Sequence, residues 1–249
     1  MSDVNDININ FNKKIKEEVT DYWSSRAEIF NELKIQELNS DMRGRWLKEL
    51  QTYLPAKKGL KILDIGTGTG FFCFLLGAEG HNLTGIDLTE KMILEARKSS
   101  AILGIPAEFY VMDAEMPDFP DNSFDAIVTR NVAWTLPDLK KAYEKWHNLL
   151  KEDGILINFD GDYSRENDQQ KLPENHAHSK ITQEQWSAYE HLKTELRPIS
   201  NPRPAWDVQL LKSAGFKEIR LDEQVGDRIY SEINQFYNPT PIFTIAARK

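Results

Sequence analysis

The chain has 249 residues, enough for the core of one α/β domain, and its 39 acidic and 31 basic residues give a formal net charge of −8. This acidic excess disfavours nucleic acid as a partner, because a phosphate backbone is usually bound by clustered Lys and Arg. The single cysteine, Cys73, excludes an internal disulfide framework and a site with several thiolate ligands. No leader and no apolar run long enough to span a bilayer is visible, so we expect a soluble cytoplasmic protein without a membrane partner.

Helical patterns precede the first predicted strand. Residues 1–10 are polar and are expected to be weakly ordered. Apolar residues recur at helical spacing from Phe11 to Leu38, which predicts one or two amphipathic helices. Another helix is predicted from Met42 to Leu54, where Pro55 ends it.

The stretch 61–72, KILDIGTGTGFF, predicts a buried strand, a tight turn and a helix start. The turn carries Gly66, Gly68 and Gly70, which let the backbone approach a ligand closely, and the free N–H groups of the following helix start face the same crevice. In open parallel sheets ligands bind at that edge. The spacing is G-x-G-x-G, whereas a dinucleotide fingerprint needs a glycine where Phe71 stands.

Strand and helix patterns then alternate, which is typical of a doubly wound parallel sheet. The predicted elements are a helix over 71–78, a strand over 82–87, a helix over 89–103, a strand over 107–112, a loop over 115–123, a strand over 124–129, a helix over 138–150 and a strand over 154–159. Beyond them, residues 160–205 form an insertion with one predicted helix over 183–196, followed by a helix over 206–214 and a hairpin-like pair of strands over 216–221 and 241–247.

Carboxylates stand at the predicted strand ends. Asp64 lies two residues before the first glycine, Asp87 ends the second strand and Asp113 follows the third. Carboxylate oxygens accept hydrogen bonds from ribose hydroxyls and from amines, so these residues suit a nucleoside with an ammonium group. The alternative for each aspartate alone is a helix cap or a surface charge.

Four blocks in this order resemble the class I S-adenosylmethionine-dependent methyltransferases, in particular their small-molecule branch: LDIGTGTG, GIDLTEKMI, VMDAEMPDFPDNSFDAIV and LLKEDGILI. The resemblance implies a Rossmann-like, mostly parallel seven-stranded sheet with an antiparallel last strand, amino-terminal helices and a helical insertion between strands five and six. It implies a single methyltransferase domain over 1–249, divided into a helical lid at 1–59, a cofactor-binding core at 60–160, a substrate cap at 161–205 and a final segment at 206–249.

The resemblance implies S-adenosyl-L-methionine as the cofactor. The glycine turn would hold its methionyl end, with Asp64 anchoring either the turn or the amino group of the cofactor. Asp87 would take the ribose hydroxyls, and Asp113 with Ala114 would bind the adenine. Tyr22 and Trp23 resemble an aromatic lid over the cofactor, although both rings could instead pack the helix onto the sheet. The expected cofactor contacts are Tyr22, Asp64, Gly66, Thr67, Gly68, Gly70, Asp87, Leu88, Asp113, Ala114 and Arg130.

The expected substrate contacts are Asn131, Trp134 and Arg203. Arg130, Asn131 and Trp134 replace the N/D-P-P-Y/F signature after the fourth strand, which argues against methylation of DNA bases or glutamine. Arg203 would pair with a substrate carboxylate at the start of the helix over 206–214. In the alternative interpretation this segment has no binding role: Trp206 is a core residue and Asp207 is a favourable charge at the helix start.

No catalytic residue is assigned, because a sulfonium is already an activated methyl donor and the protein mainly aligns the acceptor and excludes water. If a base is needed, the candidates are His176 and His178. These histidines could equally lie in a solvated loop. As metal ligands they lack a suitably spaced third residue, so no metal is expected.

The favoured function is methylation of a small molecule. The alternatives are a non-catalytic binder of the same cofactor, a scaffold, an RNA or protein methyltransferase, and an NAD(P)-dependent oxidoreductase, which Phe71 opposes. A homodimer is left open.

Overall fold

The computed structural model describes residues 2–165 and 181–249. Besides short 3-10 turns, the helices and strands of this part are α1 Ser2–Leu38, α2 Met42–Tyr53, β1 Lys61–Ile65, α3 Phe71–Gly77, β2 Asn82–Asp87, α4 Glu90–Leu103, β3 Glu108–Val111, β4 Phe124–Arg130, α5 Leu139–Leu149, β5 Leu150–Gly161, α6 Gln183–Leu196, α7 Ala205–Ser213, β6 Lys217–Asp222, α8 Val225–Ile229 and β7 Ile242–Arg248. None of the helices so described has the length and apolar composition needed to span a bilayer.

The seven strands form one sheet in the order β3-β2-β1-β4-β5-β7-β6. Strands β1 to β5 are parallel to one another, and β7 runs antiparallel to both β5 and β6. This arrangement confirms the predicted fold class. The strand order reverses between β1 and β4, and in such sheets the crevice beyond the carboxyl ends of the strands at that point is where ligands bind.

Helices cover both faces of the sheet and bury its apolar side chains. On one face, against α2, α3 and α4, the ring of Trp46 lies 5.5 Å from that of Phe72 and 5.3 Å from that of Phe159. On the other face, α5 and α7 cover a second cluster that includes Tyr143 and Trp146. Because both faces are covered, the central strands are apolar rather than alternating, as the sequence pattern indicated.

Three elements differ from the expectations. Helix α1 is a single helix that begins at Ser2, so residues 2–10 are helical; it is anchored by the fully buried Ile15, and a nucleated helix extends at little further cost. Strand β5 begins at Leu150, which pairs with Phe124 before a shift in register. The polar residues at this irregularity do not follow a strand pattern, so the sequence predicted a later start for the strand. Helix α8 is too short to give a periodic pattern. The division of the chain into lid, core, cap and final segment stays a prediction.

Candidate functional site

A cavity of about 170 Å³ lies beyond the carboxyl ends of the central strands. Its lining combines the glycine turn, the ends of β2 and β4, and one side of α1. The residues that α1 contributes are Lys16, Val19, Trp23, Phe30 and Lys34. The cavity wall therefore combines residues of α1, which precedes the first strand, with residues at the strand ends. These residues are distant in sequence and come together only in the folded chain.

Nine of the eleven residues expected at the cofactor line this cavity: Asp64, Gly66, Thr67, Gly68, Asp87, Leu88, Asp113, Ala114 and Arg130. Gly70 is not among the lining residues; it is the N-cap of α3. Tyr22 is a correction, because it is buried and its ring packs 5.7 Å from that of Tyr189, outside the lining. Trp23 does line the cavity. Adjacent residues point about 100° apart on a helix, so only one of the two faces it.

The glycine turn requires glycine for two reasons. Gly66 and Gly68 have φ angles of 65° and 55°, in the left-handed region that side chains disfavour. A Cβ on Gly66 would lie 2.1 Å from Cγ2 of Val132. The turn can therefore keep this conformation and pack against Val132 only because Gly66 has no side chain.

Asp87 fastens this turn to the neighbouring strand. Its Oδ2 accepts a hydrogen bond from the Gly68 N–H at 3.0 Å, and its Oδ1 accepts one from the Thr89 N–H at 2.8 Å. Each carboxylate oxygen can accept more than one hydrogen bond, so Asp87 can hold the turn and also accept from a ligand hydroxyl.

Asp64 is buried beneath the turn, with 2% of its surface exposed. Its Oδ2 accepts a hydrogen bond from the Thr67 hydroxyl at 2.6 Å, while its Oδ1 accepts none from the described residues. Burial raises the pKa of the Asp64 carboxyl to about 7, against the opposing effect of the Thr67 hydroxyl. A cationic group in the cavity would favour its ionised form.

Lys16 was not predicted from the sequence. Its ammonium donates to Asp113 Oδ2 at 2.8 Å and to Glu115, and so ties α1 to the end of β3. Glu115 is 2% exposed and its Oε1 accepts from the Asp138 N–H at 2.7 Å. The position of Lys16 in the amphipathic pattern of α1 could have indicated a buried charge. Its partners could not be identified from the pattern, because they lie far along the chain.

A second set of charges, the Glu37 cluster, consists of Lys34, Glu37, Trp46, Arg130 and Tyr230. Glu37 is 1% exposed and accepts from all three neighbouring donors, Lys34 at 2.6 Å, Trp46 at 2.8 Å and Arg130 at 2.9 Å. Burial opposes ionisation, but Arg130 and Lys34 outweigh it and lower the pKa of the Glu37 carboxyl to about 2. Burial and the Arg130 charge lower the pKa of the Lys34 ammonium to about 8. The sequence indicated Arg130 alone.

Of the expected substrate contacts, Asn131 lines the cavity and Trp134 does not. Asn131 has a φ of 58°, and its Oδ1 accepts from the Tyr163 hydroxyl at 3.0 Å. Trp134 is a correction: it is buried, and its ring packs 5.3 Å from Tyr163 and 5.9 Å from Tyr189. Its role in the structure is packing.

Arg203 is also a correction. It does not line the cavity, and its side chain is 1% exposed between two carboxylates. The guanidinium lies 3.1 Å from Asp160 and donates to both oxygens of Asp207, at 2.8 and 2.5 Å. These carboxylates already satisfy its charge. The base candidates His176 and His178 lie outside the described residues.

Comparison with known proteins agrees with this geometry. Residues 63–158 match a family model described as a methyltransferase domain. Phosphoethanolamine N-methyltransferase 3 of Arabidopsis thaliana is 35% identical over 112 residues, 44% of this chain and 23% of that protein. Aklanonic acid methyltransferase DauC of Streptomyces sp. (strain C5) is 31% identical over 146 residues, 57% of this chain and 64% of that protein.

The chain thus spans less than two thirds of the length of these relatives. Among solved structures, phosphoethanolamine N-methyltransferase 2 of Haemonchus contortus, in complex with S-adenosylhomocysteine, superposes with a TM-score of 0.60 at 18% identity. The superposition covers 82% of this chain and 52% of that one, and it establishes a likeness of fold. Residues 63–158 thus match a methyltransferase domain, and the strand order and the glycine turn are similar to those of class I S-adenosylmethionine-dependent methyltransferases.

Proposed function

We propose that this protein transfers the methyl group of S-adenosylmethionine to a small-molecule acceptor. The observation that carries the proposal is the convergence of the glycine turn and three strand-end carboxylates, Asp64, Asp87 and Asp113, on one cavity. Acceptor-only carboxylates match the hydroxyls, exocyclic amine and ammonium group of this cofactor.

The residues present fit the cofactor. The carboxyls of Asp64, Asp87 and Asp113 all line the cavity, and Asp64 Oδ1 accepts no hydrogen bond from the described residues. Asp87 would hold the ribose, Asp113 the adenine, and Asp64 the ammonium group. When bound, the cofactor supplies an activated methyl group. The chain's own residues would orient the acceptor and exclude water, with Trp23 and Phe30 closing the α1 side of the cavity.

A small acceptor is supported by the lining of the site. Apolar walls from Val19, Phe71 and Met92 surround a few polar groups, which is the usual character of a pocket for a small molecule. The named acceptors of the two curated relatives, phosphoethanolamine and aklanonic acid, are small molecules. Asn131 is the residue that we propose for acceptor contact, since its carboxamide is oriented by Tyr163 at the mouth of β4.

The proposal is tested by incubating the protein with methyl-labelled S-adenosylmethionine and, in separate reactions, the small-molecule, RNA and protein fractions of a cell extract, followed by mass spectrometry. We expect a new labelled small molecule that is absent with the Asp87→Ala variant. Label in RNA or protein, with none in small molecules, would refute the small-molecule acceptor. Tight cofactor binding without any transfer to the three fractions would favour a non-catalytic binder.

Affinity for S-adenosylhomocysteine should increase as the pH rises from about 5.5 to about 8. Below the Asp64 pKa of about 7 its carboxyl is protonated and holds the ligand's ammonium group poorly; above it the carboxylate forms a charge-assisted bond. Calorimetry across this range measures the effect. In Asp64→Asn the affinity should be lower and nearly independent of pH. If Asp64→Asn keeps the wild-type dependence of affinity on pH, a group other than Asp64 causes that dependence.

A further inference from the structure

The cavity wall at the end of β4 carries a carboxamide with one unused side. Asn131 lines the cavity directly after this strand. Its backbone N–H donates to the Phe159 carbonyl at 2.8 Å, and its backbone carbonyl accepts from Nε1 of Trp134 at 3.2 Å. Its Oδ1 accepts from the Tyr163 hydroxyl at 3.0 Å, whereas its Nδ2 donates to none of the described residues. The side-chain amino group is therefore what Asn131 has left for a ligand.

A run of hydrogen bonds, the Tyr163 relay, fixes which way this carboxamide points. The Thr240 backbone N–H can only donate, and it donates to Oδ1 of Asn238 at 3.1 Å. Nδ2 of Asn238 therefore faces the Tyr163 hydroxyl, to which it donates at 2.7 Å. The single proton of this hydroxyl then goes to Asn131, so the Asn131 atom beside it is the oxygen. The amino group of Asn131 is thereby directed away from Tyr163.

The surroundings hold the Tyr163 relay in this arrangement. Tyr163 is 7% exposed, and its ring packs 5.3 Å from that of Trp134. Burial raises the pKa of the Tyr163 hydroxyl well above its ordinary value, so the hydroxyl keeps the proton that it donates. Asn131 has a φ of 58°, which asparagine adopts more readily than most residues. A donor that is already oriented loses little conformational freedom when a ligand binds.

We propose that the Asn131 amino group binds an oxygen of the methyl acceptor that has no proton to donate: a carbonyl, carboxylate or phosphate oxygen. Tyr163 and Asn238 are positioning residues, which keep this donor directed toward the acceptor. The inference rests on the proposed function and names the chemistry of its acceptor. Tyr163 and Asn238 lie outside residues 63–158, so the match to the methyltransferase domain does not assign the relay.

Two substitutions at Asn131 separate a donor from an acceptor of hydrogen bonds. Glycine and aspartate both tolerate a positive φ, so either variant can keep the backbone conformation. Asn131→Gly removes the donor and should slow labelled transfer to the small-molecule fraction roughly three- to thirtyfold. Asn131→Asp places an ionised acceptor beside the bound oxygen at about pH 8 and should slow transfer roughly a hundredfold or more. Neither should change the affinity for S-adenosylhomocysteine by more than about twofold.

A double substitution tests the positioning role of Tyr163. Tyr163→Phe alone should slow transfer roughly three- to tenfold, because the Asn131 carboxamide can then turn its oxygen toward the acceptor. Added to Asn131→Gly, it should slow transfer by less than about twofold further, since no carboxamide remains to be oriented. A purely structural role of Tyr163 would give the same loss in both backgrounds. Tyr110→Phe, at an exposed hydroxyl bonded to Glu108, is the matched control.

The outcomes distinguish this inference from the proposed function. Wild-type transfer in Asn131→Gly overturns the inference, and so does transfer in Asn131→Asp as fast as in Asn131→Gly, because the acceptor then donates at this position. A loss of about tenfold in S-adenosylhomocysteine affinity in Asn131→Gly also overturns it, since the amino group would then hold the cofactor. Equal losses from Tyr163→Phe in both backgrounds overturn the positioning role. A wild-type protein that labels no small molecule refutes the proposed function, and this inference with it.

Discussion

Asp87→Ala should weaken binding of S-adenosylhomocysteine by about 2 to 3 kcal/mol, roughly 30- to 150-fold. The carboxylate would accept from the ribose hydroxyls, and it also fixes the Gly68 N–H at 3.0 Å and the Thr89 N–H at 2.8 Å. Removing it therefore takes away both a ligand contact and the restraint on the turn. Calorimetry measures the loss.

Two further variants make this result specific. Asp87→Asn keeps one acceptor oxygen but no charge, and it should fall between wild type and Asp87→Ala. Asp118→Ala removes an exposed carboxylate from the loop after β3 and should leave the affinity unchanged. Wild-type affinity in a folded Asp87→Ala protein would contradict the assignment of Asp87 to the ligand.

Arg203→Met should lower the free energy of unfolding by about 3 to 5 kcal/mol, the usual cost of removing one partner from a buried ion pair. Asp160 and Asp207 are both 0% exposed and would remain without their cation. Even with Arg203 present, burial raises the pKa of Asp160 to about 6. Denaturant unfolding near neutral pH measures the change, with Arg43→Met as the control at an arginine whose side chain is 47% exposed.

The pH dependence provides a second test of the same cluster. Without Arg203 the buried Asp160 carboxyl should have a higher pKa in the folded than in the unfolded chain, so the folded variant binds more protons. Its deficit relative to wild type should therefore shrink as the pH falls from about 7 to about 5. A loss below about 1 kcal/mol that is the same at both pH values would mean that the cluster contributes little to stability.

The sheet was predictable because its signals are local. The buried run ending at Ile65 and the run ending at Asp87 each give strand type and boundary from neighbouring residues, and the alternation with helices gives the parallel arrangement. The cavity-lining acids follow from that arrangement, since parallel strands end at one edge. Strand β5 was predicted too short, because the polar residues that follow Leu150 at the bulge do not resemble a buried strand.

The contacts of α1 were not predictable, since a helical pattern indicates a buried face but not what covers it. Lys16 meets Asp113 across 97 positions of the chain. Tyr22 and Trp23 are neighbours in sequence, yet only the rotation of the helix against the sheet determines which ring reaches the cavity. Arg203 and Asp207 carried a local signal in their spacing of four residues, but Asp160 joins them only through the fold.

The attachment of α1 has an evolutionary consequence. Within the described residues no backbone hydrogen bond joins this helix to the sheet; side chains make the connection. Substitutions in α1 can therefore reshape one wall of the cavity without disturbing the strand pairing or the glycine turn. Proteins that share this sheet and glycine turn would then differ in ligand preference through α1. This helix lies outside residues 63–158, which match the methyltransferase domain model.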